Sequence, residues 1–149
     1  MTVINEKFTV HTKGNTQIID ITRQVQNAVY RHNLQNAVVH VYVAGSTVSL
    51  TNIEFEPGLL KDLPEALEKF APIDTEYHHD ETWHDGNGYA HVRASIVGNN
   101  TMVPLMEGAL QLGQWQQIVL IDFDNKARTR TGSDRYINYT KESTKKLLS

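Results

Sequence analysis

The segment AVVHVYVA, at residues 37–44, is nearly continuous in apolar and β-branched residues. Such a run is typical of a central strand that is buried on both faces. A second long apolar run, WQQIVLIDF at 115–123, also has the character of a central strand. These two segments predict a fold that is built around a β-sheet.

Alternation of apolar and polar residues predicts further strands beside these two. KFTVHT places Phe8 and Val10 on one side, and YAHVRASIV, at 89–97, alternates in the same way. GNN, at 98–100, is typical of a hairpin turn between two strands. The other predicted strands are TMVPLM with Pro104 near an edge, the short GALQLG, and a last strand after the turn at Asp124 and Asn125.

Helical spacing of apolar residues predicts two helices. The first is ITRQVQNAVYRHN, with Asp20 or Thr22 as its cap. The second lies in PGLLKDLPEALEKFAP, where Pro64 lacks the N–H that a helix interior requires. We therefore expect a short turn after Gly58 and a helix that restarts near Asp62 with the proline in its first turn.

The length of 149 residues, 40% of them hydrophobic, suits one domain with a single core. The predicted fold class is α+β, with a mixed or antiparallel sheet core and about two helices in a single domain over 1–140. The tail, 141–149, lacks strand patterning and is expected to be a short helix or disordered.

The absence of cysteine excludes disulfides and thiolate metal sites. Any metal must therefore be held by histidine and carboxylate side chains, and any nucleophile must be oxygen or nitrogen. No apolar run approaches the roughly 20 residues of a membrane span, and the first residues do not resemble a signal peptide, so we expect a cytoplasmic protein without membrane contact. The basic residues are too few, and lack the interleaved aromatic side chains, for nucleic-acid binding.

Charge is unevenly distributed, although the net charge is only −3. Residues 54–85 contain ten acidic and two basic side chains, whereas residues 126–146 contain seven basic and two acidic ones. This asymmetry is compatible with a cation-binding segment opposite an anion-binding one, and equally with two solvated faces of opposite sign.

The stretch YHHDETWHDGNGYAH, at 77–91, holds four of the seven histidines. His79, His84 and His91 are candidates for a common centre that binds a metal or transfers a proton, although their spacing matches no short metal motif. Surface imidazoles that solvate a loop are an equally good interpretation. The run from Asp85 to Gly88 predicts a sharply folded loop, because it tolerates positive φ angles.

A second candidate site is AGSTVSLTNIE, at 44–54, directly after the first central strand. Ser46 and Thr47 could donate to a phosphate, and Glu54 could act as a base or metal ligand, but a plain strand-to-strand turn is the favoured interpretation. Arg128 and Arg130 could clamp an anion or be an ordinary surface pair.

Several of these segments, in order, resemble the small proteins known as secondary thiamine-phosphate synthases, or YjbQ-like proteins. The resemblance covers about residues 4 to 135 and rests on Gly45-Ser46-Thr47, Glu54, Tyr77-x-His79-Asp80, Trp83 to Gly88, His91 with Arg93-Ala94-Ser95, and LGQWQQIVLIDFDNKARTR. It implies a single α+β domain, a homotrimer, and a histidine-containing pocket near subunit boundaries that sometimes holds a metal. The implied activity joins an aminopyrimidine diphosphate to a thiazole phosphate and releases diphosphate.

The same resemblance assigns roles to individual residues. The implied catalytic residues are His79, Asp80, His91 and the recurrent acid Glu54, and the implied substrate contacts include Trp115 and Gln116. Many relatives have His-Thr-Thr where this chain has Gly-Ser-Thr, so one expected imidazole is missing at Gly45. Either His84 or a carboxylate completes the site in a separate branch of the family, or the activity has been lost.

Three hypotheses follow. The first is an enzyme that binds a divalent metal (Zn or Mg) and a small phosphorylated molecule. The second is a trimeric binding protein for a small anionic ligand, without catalysis, and the third makes the histidine-rich loop a subunit contact. In the first hypothesis the metal ligands are His79, His91 and either His84 or Asp85, and the phosphate contacts are Ser46, Thr47 and Arg93.

Overall fold

The computed structural model describes residues 1–138, and the predicted tail lies outside the described residues. Eight strands and four helices follow in the order β1 (Thr2–Thr12), β2 (Gln17–Asp20), α1 (Thr22–Arg31), β3 (Ala37–Val43), β4 (Val48–Glu54), α2 (Leu59–Phe70), α3 (His78–Trp83), α4 (Gly88–Val97), β5 (Asn100–Met106), β6 (Ala109–Leu110), β7 (Gln116–Asp122) and β8 (Arg128–Asn138). The α+β class is confirmed, with two helices more than the sequence indicated. None of the helices in the described range is long and apolar enough to cross a membrane.

The strands form two antiparallel sheets. The larger has five strands in the order β1-β8-β3-β5-β6, and the smaller has three in the order β2-β7-β4. Ile118 and Leu120 on one face of β7 pack toward the larger sheet and α1, whereas Val119 and Ile121 on the other face pack against α2 and α4. The smaller sheet is therefore an inner layer, which explains why β7 is apolar on both faces.

The first central strand differs from the sequence expectation on one side. β3 lies between β8 and β5, so it is central in its sheet. Val39 and Val41 are completely buried, but His40 is half-buried and Tyr42 is exposed. Helix α1 and the inner sheet cover one face of the larger sheet, and the opposite face of β3 retains solvent contact.

The segment YAHVRASIV is a helix, so the prediction of a strand there was wrong. The carboxylate of Asp80 accepts hydrogen bonds from the backbone N–H groups of Asn87 and Gly88, which fixes the start of α4. Ala90 and Ala94, four residues apart, then pack against the inner sheet. Because small side chains fit both a strand face and a close helix contact, the alternation alone did not separate the two.

Two turn predictions also need correction. Helix α2 begins at Leu59 and continues through Pro64 instead of restarting near Asp62, because Glu56 accepts from the N–H groups of Gly58 and Leu59 and so caps the earlier start. The GNN segment is no hairpin: Gly98 ends α4 with a φ of +87°.

Candidate functional site

The histidine-rich stretch folds into the short helix α3, a tight turn and the start of α4. His84 ends α3 with a φ of +53°, and Gly86 follows with a φ of +61°. Gly88 packs so closely on Tyr77 that a Cβ atom there would overlap the tyrosine side chain. The turn therefore uses one glycine for its backbone conformation and the other for close approach.

This turn brings His79 of α3 against His91 of α4. The two imidazole rings lie 4.0 Å apart between centroids and are tilted by 33°. The Nδ1 atom of His79 is 3.4 Å from an oxygen of Asp80 and 3.5 Å from an oxygen of Asp85. The pair that the sequence singled out thus lies in one cluster with two carboxylates, and all four side chains retain some solvent contact.

The electrostatic environment of the two histidines is set by burial and by carboxylates. Burial lowers the pKa of His91 below its ordinary value, and the neighbouring His79 acts in the same direction against Asp85, Asp124 and Asp80. His91 is therefore a neutral imidazole at pH 7, able to accept a proton. Burial alone would raise the pKa of Asp80, but hydrogen bonds from Gly88, His79 and Asn87 outweigh it, so this carboxylate is ionised.

A cavity of about 380 Å³ lies beside His91. Its other lining residues come from the turn between β3 and β4, from the later part of α4 and from the loop that follows it: Gly45, Ser46, Val48, Ala94, Ser95, Gly98 and Asn99. The turn that the sequence offered as a phosphate-binding candidate and His91 therefore line one concave surface. His79 contacts His91 but is not one of the lining residues.

Comparison with known proteins identifies the family. The family model described as UPF0047 protein YjbQ-like matches residues 6–138. The chain belongs to the UPF0047 family of YjbQ-like proteins. A relative from Archaeoglobus fulgidus is 40% identical over 124 residues, which cover 83% of this chain and 94% of the relative. YugU of Bacillus subtilis is 31% identical and covers 82% of this chain and 90% of its own length.

Solved structures of the family share the fold. A YbjQ-like protein of unknown function from Sulfolobus solfataricus superposes with a TM-score of 0.82 at 25% identity, covering 92% of this chain and 99% of its own. A protein of the yjbq/upf0047 family from Clostridium acetobutylicum gives a TM-score of 0.80 at 30% identity, covering 89% and 99%.

The donor set fits a divalent metal in part. Ligand atoms of His79, Asp80 and Asp85 all lie within 4.8 Å of one another, and nitrogen with carboxylate oxygen is a set that zinc accepts. One oxygen of Asp80 is already used by two backbone N–H groups, so a metal would need its second oxygen. His84 is exposed and lines a different cavity with Tyr77, Asp80 and Glu81, outside this donor set.

Gly45 has no room for the histidine that many relatives are implied to have. Its φ is +151°, and a Cβ atom there would lie 2.7 Å from a methyl group of Val48 and 3.1 Å from Nη1 of Arg130. A side chain would require the turn to move. The backbone conformation and the packing of this turn therefore require glycine at position 45 and leave no space for an imidazole.

Three of the predicted site residues lie elsewhere on this chain. Glu54 pairs with Gln116 at the far end of the inner sheet from Asp122, and β7 separates these ends by about 20 Å. Trp115 precedes Gln116 and is 67% exposed. Within one chain, these residues do not meet the histidine pair.

Arg93 also departs from its predicted role. On a helix, two residues apart means about 200° of rotation, so Arg93 and His91 face different sides. The Arg93 guanidinium is buried and donates to the Ala71 carbonyl, to the Thr16 hydroxyl and to Glu68. It supports the packing of α4 and does not line the cavity beside His91.

The sequence did not indicate a buried polar network beneath the β3–β4 turn. Arg130 donates from Nε and Nη2 to the carboxylate of Asp122, at 2.7 and 2.8 Å, and from Nη2 to the Thr47 hydroxyl at 2.8 Å. Thr47 in turn donates to Asp124 at 2.9 Å. The Thr47 hydroxyl is thus engaged internally and holds Arg130 instead of facing a ligand.

Proposed function

We propose that this protein is a metal-assisted enzyme acting on a small phosphorylated heterocycle, of the secondary thiamine-phosphate synthase type. The observation that carries the proposal is the contact of His79, which has Asp80 and Asp85 beside it, with His91, which lines a cavity of suitable size for a substrate group. In the proposed reaction a thiazole nitrogen forms a bond to the methylene carbon of the aminopyrimidine. The carbon–oxygen bond to diphosphate breaks, and diphosphate departs with the electron pair.

The residues of this chain would position the substrate groups and donate hydrogen bonds to the leaving group. Asp80 and Asp85 orient the His79 imidazole through its Nδ1 atom, and the backbone N–H groups at the start of α4 hold Asp80 in place. Neutral His91 keeps one ring N–H, which can donate a hydrogen bond at the cavity wall to an oxygen of the departing diphosphate. A divalent cation on His79, Asp80 and Asp85 would offset negative charge that develops on the departing diphosphate.

We expect His91→Ala to lower the rate of thiamine phosphate formation by about 100-fold or more, because the loss of one hydrogen-bond donor to charge that develops in the transition state costs about 10² to 10³ in rate. The assay is mass spectrometry of product from the two precursors, with Mg²⁺ or Zn²⁺ supplied. His78→Ala is the matched control, since the His78 side chain is fully exposed beside the same helix start. Equal rates for the two variants, or no product from the wild type with either metal, would overturn the proposal.

We expect Zn²⁺ to raise the Tm of the wild-type protein, because a ligand that binds only the folded state stabilises it, by about 2.7 kcal/mol at a concentration 100 times Kd. His79→Ala should abolish most of this rise, whereas His84→Ala should retain it, since His84 lies outside the donor set. Thermal unfolding with and without a chelator measures both. The metal assignment fails if the His84 variant loses the rise and the His79 variant keeps it.

The second candidate is a homotrimeric binding protein that holds a small phosphorylated ligand without turning it over. The closed packing at Gly45 favours it, because only two imidazoles come together in the described residues. Assembly could also bring Glu54, Trp115 and Gln116 of one copy to the histidine pair of another. Ligand-induced stabilisation without product, in a species with the mass of three chains, would select this alternative over the enzyme.

A further inference from the structure

Arg130 is not itself a lining residue of the cavity beside His91, but its guanidinium lies against Gly45, which is one. Nothing in the sequence separates Arg130 from Arg128. Its side chain is only 10% exposed, whereas that of Arg128 is 44% exposed. Both arginines lie on β8, two residues apart, and so only the fold distinguishes them.

Two nitrogen atoms of the Arg130 guanidinium are held by hydrogen bonds, and the third is available to bind a ligand. Nε and Nη2 donate to Asp122 and Thr47, as described above. Nη1 makes no hydrogen bond to any residue of the described chain, and it is not among the buried polar atoms that lack a partner, so it retains access to solvent.

Gly45 determines where this free end lies. A Cβ atom at Gly45 would approach Nη1 to 3.1 Å, and Gly45 itself lines the cavity. The missing side chain therefore leaves Nη1 of Arg130 beside Gly45, a residue of the cavity wall at the β3–β4 turn. A glycine in place of an imidazole opens an approach to a buried arginine.

We propose that Arg130 anchors a phosphoryl group in this cavity through Nη1. The inference rests on the proposed function for its choice of ligand, and it names the residue that takes the place first assigned to Arg93. Planar guanidinium groups match phosphate oxygens well, and one held by Asp122 and Thr47 loses little conformational freedom on binding.

The surrounding charges explain why such an anchor is required. Asp80, Asp85 and Asp124 all act on His91, so the histidine side of the cavity is acidic. That side suits a cation and repels an anion. Asp122 balances the charge of Arg130, and Asp124 lies 3.6 Å from its Nη2 as well. The anchor therefore contributes directed N–H donors and no excess positive charge, and we expect moderate affinity.

The test measures binding of inorganic phosphate, inorganic diphosphate and thiazole phosphate by calorimetry at constant ionic strength, with Mg²⁺ and with a chelator. Arg130→Lys should weaken diphosphate binding by about tenfold in both conditions, because lysine keeps the charge but loses the fork. Arg128→Lys, the same change on the same strand, should bind like the wild type. If only the binding of the inorganic anions depends on Arg130, the ligand is a free anion. If the binding of thiazole phosphate depends on Arg130 as well, the ligand is a phosphate ester. Either outcome supports the anchor.

A second measurement covers the case in which Arg130→Lys does not fold. In ¹⁵N-labelled wild-type protein, diphosphate should shift the Arg130 side-chain N–H signals and leave those of Arg93 unchanged. The proposal is overturned if the Arg130 signals do not move, if the two lysine variants bind equally, or if the wild type binds none of the three anions. Arg130-dependent binding without thiamine phosphate formation would refute the proposed activity but support the anchor. Thiamine phosphate formation together with unaltered anion binding in Arg130→Lys would support the activity but refute the anchor.

Discussion

Replacement of Arg93 by methionine is expected to lower the free energy of unfolding by about 2–4 kcal/mol. Methionine keeps the apolar stem but removes two donors to the Ala71 carbonyl, and a buried carbonyl left without a partner costs about 1–3 kcal/mol. The ion pair with Glu68 and the contact of the guanidinium with the Tyr89 ring, 5.1 Å from its centroid, are lost as well. The corresponding fall in Tm is about 5–15 °C.

Denaturant unfolding measures the free energy of unfolding. Diphosphate binding at low temperature measures whether the folded variant retains its anion-binding site. Arg23→Met is the control, because Arg23 is exposed on α1. We expect Arg93→Met to be less stable than this control but to bind the anion normally once folded. If Arg93→Met is as stable as the wild type but no longer binds diphosphate, Arg93 is a phosphate contact, as the sequence analysis predicted.

Replacement of Asp134 by asparagine is expected to stabilise the protein by about 1–3 kcal/mol at pH 8 and to change little at pH 4. Asp134 is 2% exposed, and one of its oxygens has no hydrogen-bond partner in the described chain. The Tyr136 hydroxyl lies 3.1 Å from both the other Asp134 oxygen and the Val25 carbonyl. A hydroxyl has one proton, so both bonds form only when Asp134 is protonated and donates to Tyr136.

The sign of the pH dependence follows from the direction of the pKa change. Burial raises the pKa of Asp134 to about 6; Glu6 acts in the same direction, and Tyr136 and Arg31 act against it. Because the folded pKa exceeds the unfolded value of about 3.9, the stabilising contribution is complete below about pH 4. It is lost as the pH rises through about 6, and the buried carboxylate is then charged. Its full size is about 3 kcal/mol, of which asparagine should recover a part.

Thermal unfolding of the wild type and of Asp134→Asn between pH 4 and 8 measures this effect as a difference, which cancels the titration of other carboxylates. His32, which bonds to Glu6, remains in both proteins and also cancels. Asp74→Asn, at an exposed position, should show no pH-dependent difference. A difference that is constant across this range would mean that Asp134 is not the titrating group.

Local sequence pattern predicted one part of the candidate site and not another. The density of histidines at 77–91 and the Asp-Gly-Asn-Gly turn pointed to a cluster, and the structure places His79 and His91 4.0 Å apart. These residues are near one another in the chain, so a turn and two short helices suffice to join them. Arg130 lies 39 positions beyond His91, and no local signal links it to Gly45.

In helix α4, the local sequence pattern predicted the wrong secondary structure. Its alternation fits a strand, and its alanines fit a helix that packs closely on a sheet. The cap from Asp80 and the anchorage of Arg93 on Ala71 decide between these, and both depend on contacts with preceding elements. The strand interpretation put Arg93 in the site because it placed Arg93 and His91 on one face.

The sequence by itself determined the class of the fold, the two central strands and the histidine cluster, because these depend on periodicity, composition and short-range spacing, and the resemblance of its motifs to YjbQ-like proteins indicated the family. The tertiary structure alone decided which side chains serve as structure and which face the cavity. It buries Arg93 and fixes one end of Arg130, and it places Glu54, Trp115 and Gln116 at the far end of β7 from the histidines. The physical reason is that burial and hydrogen-bond partners are set by contacts between elements far apart in the chain, and residue type does not reveal them.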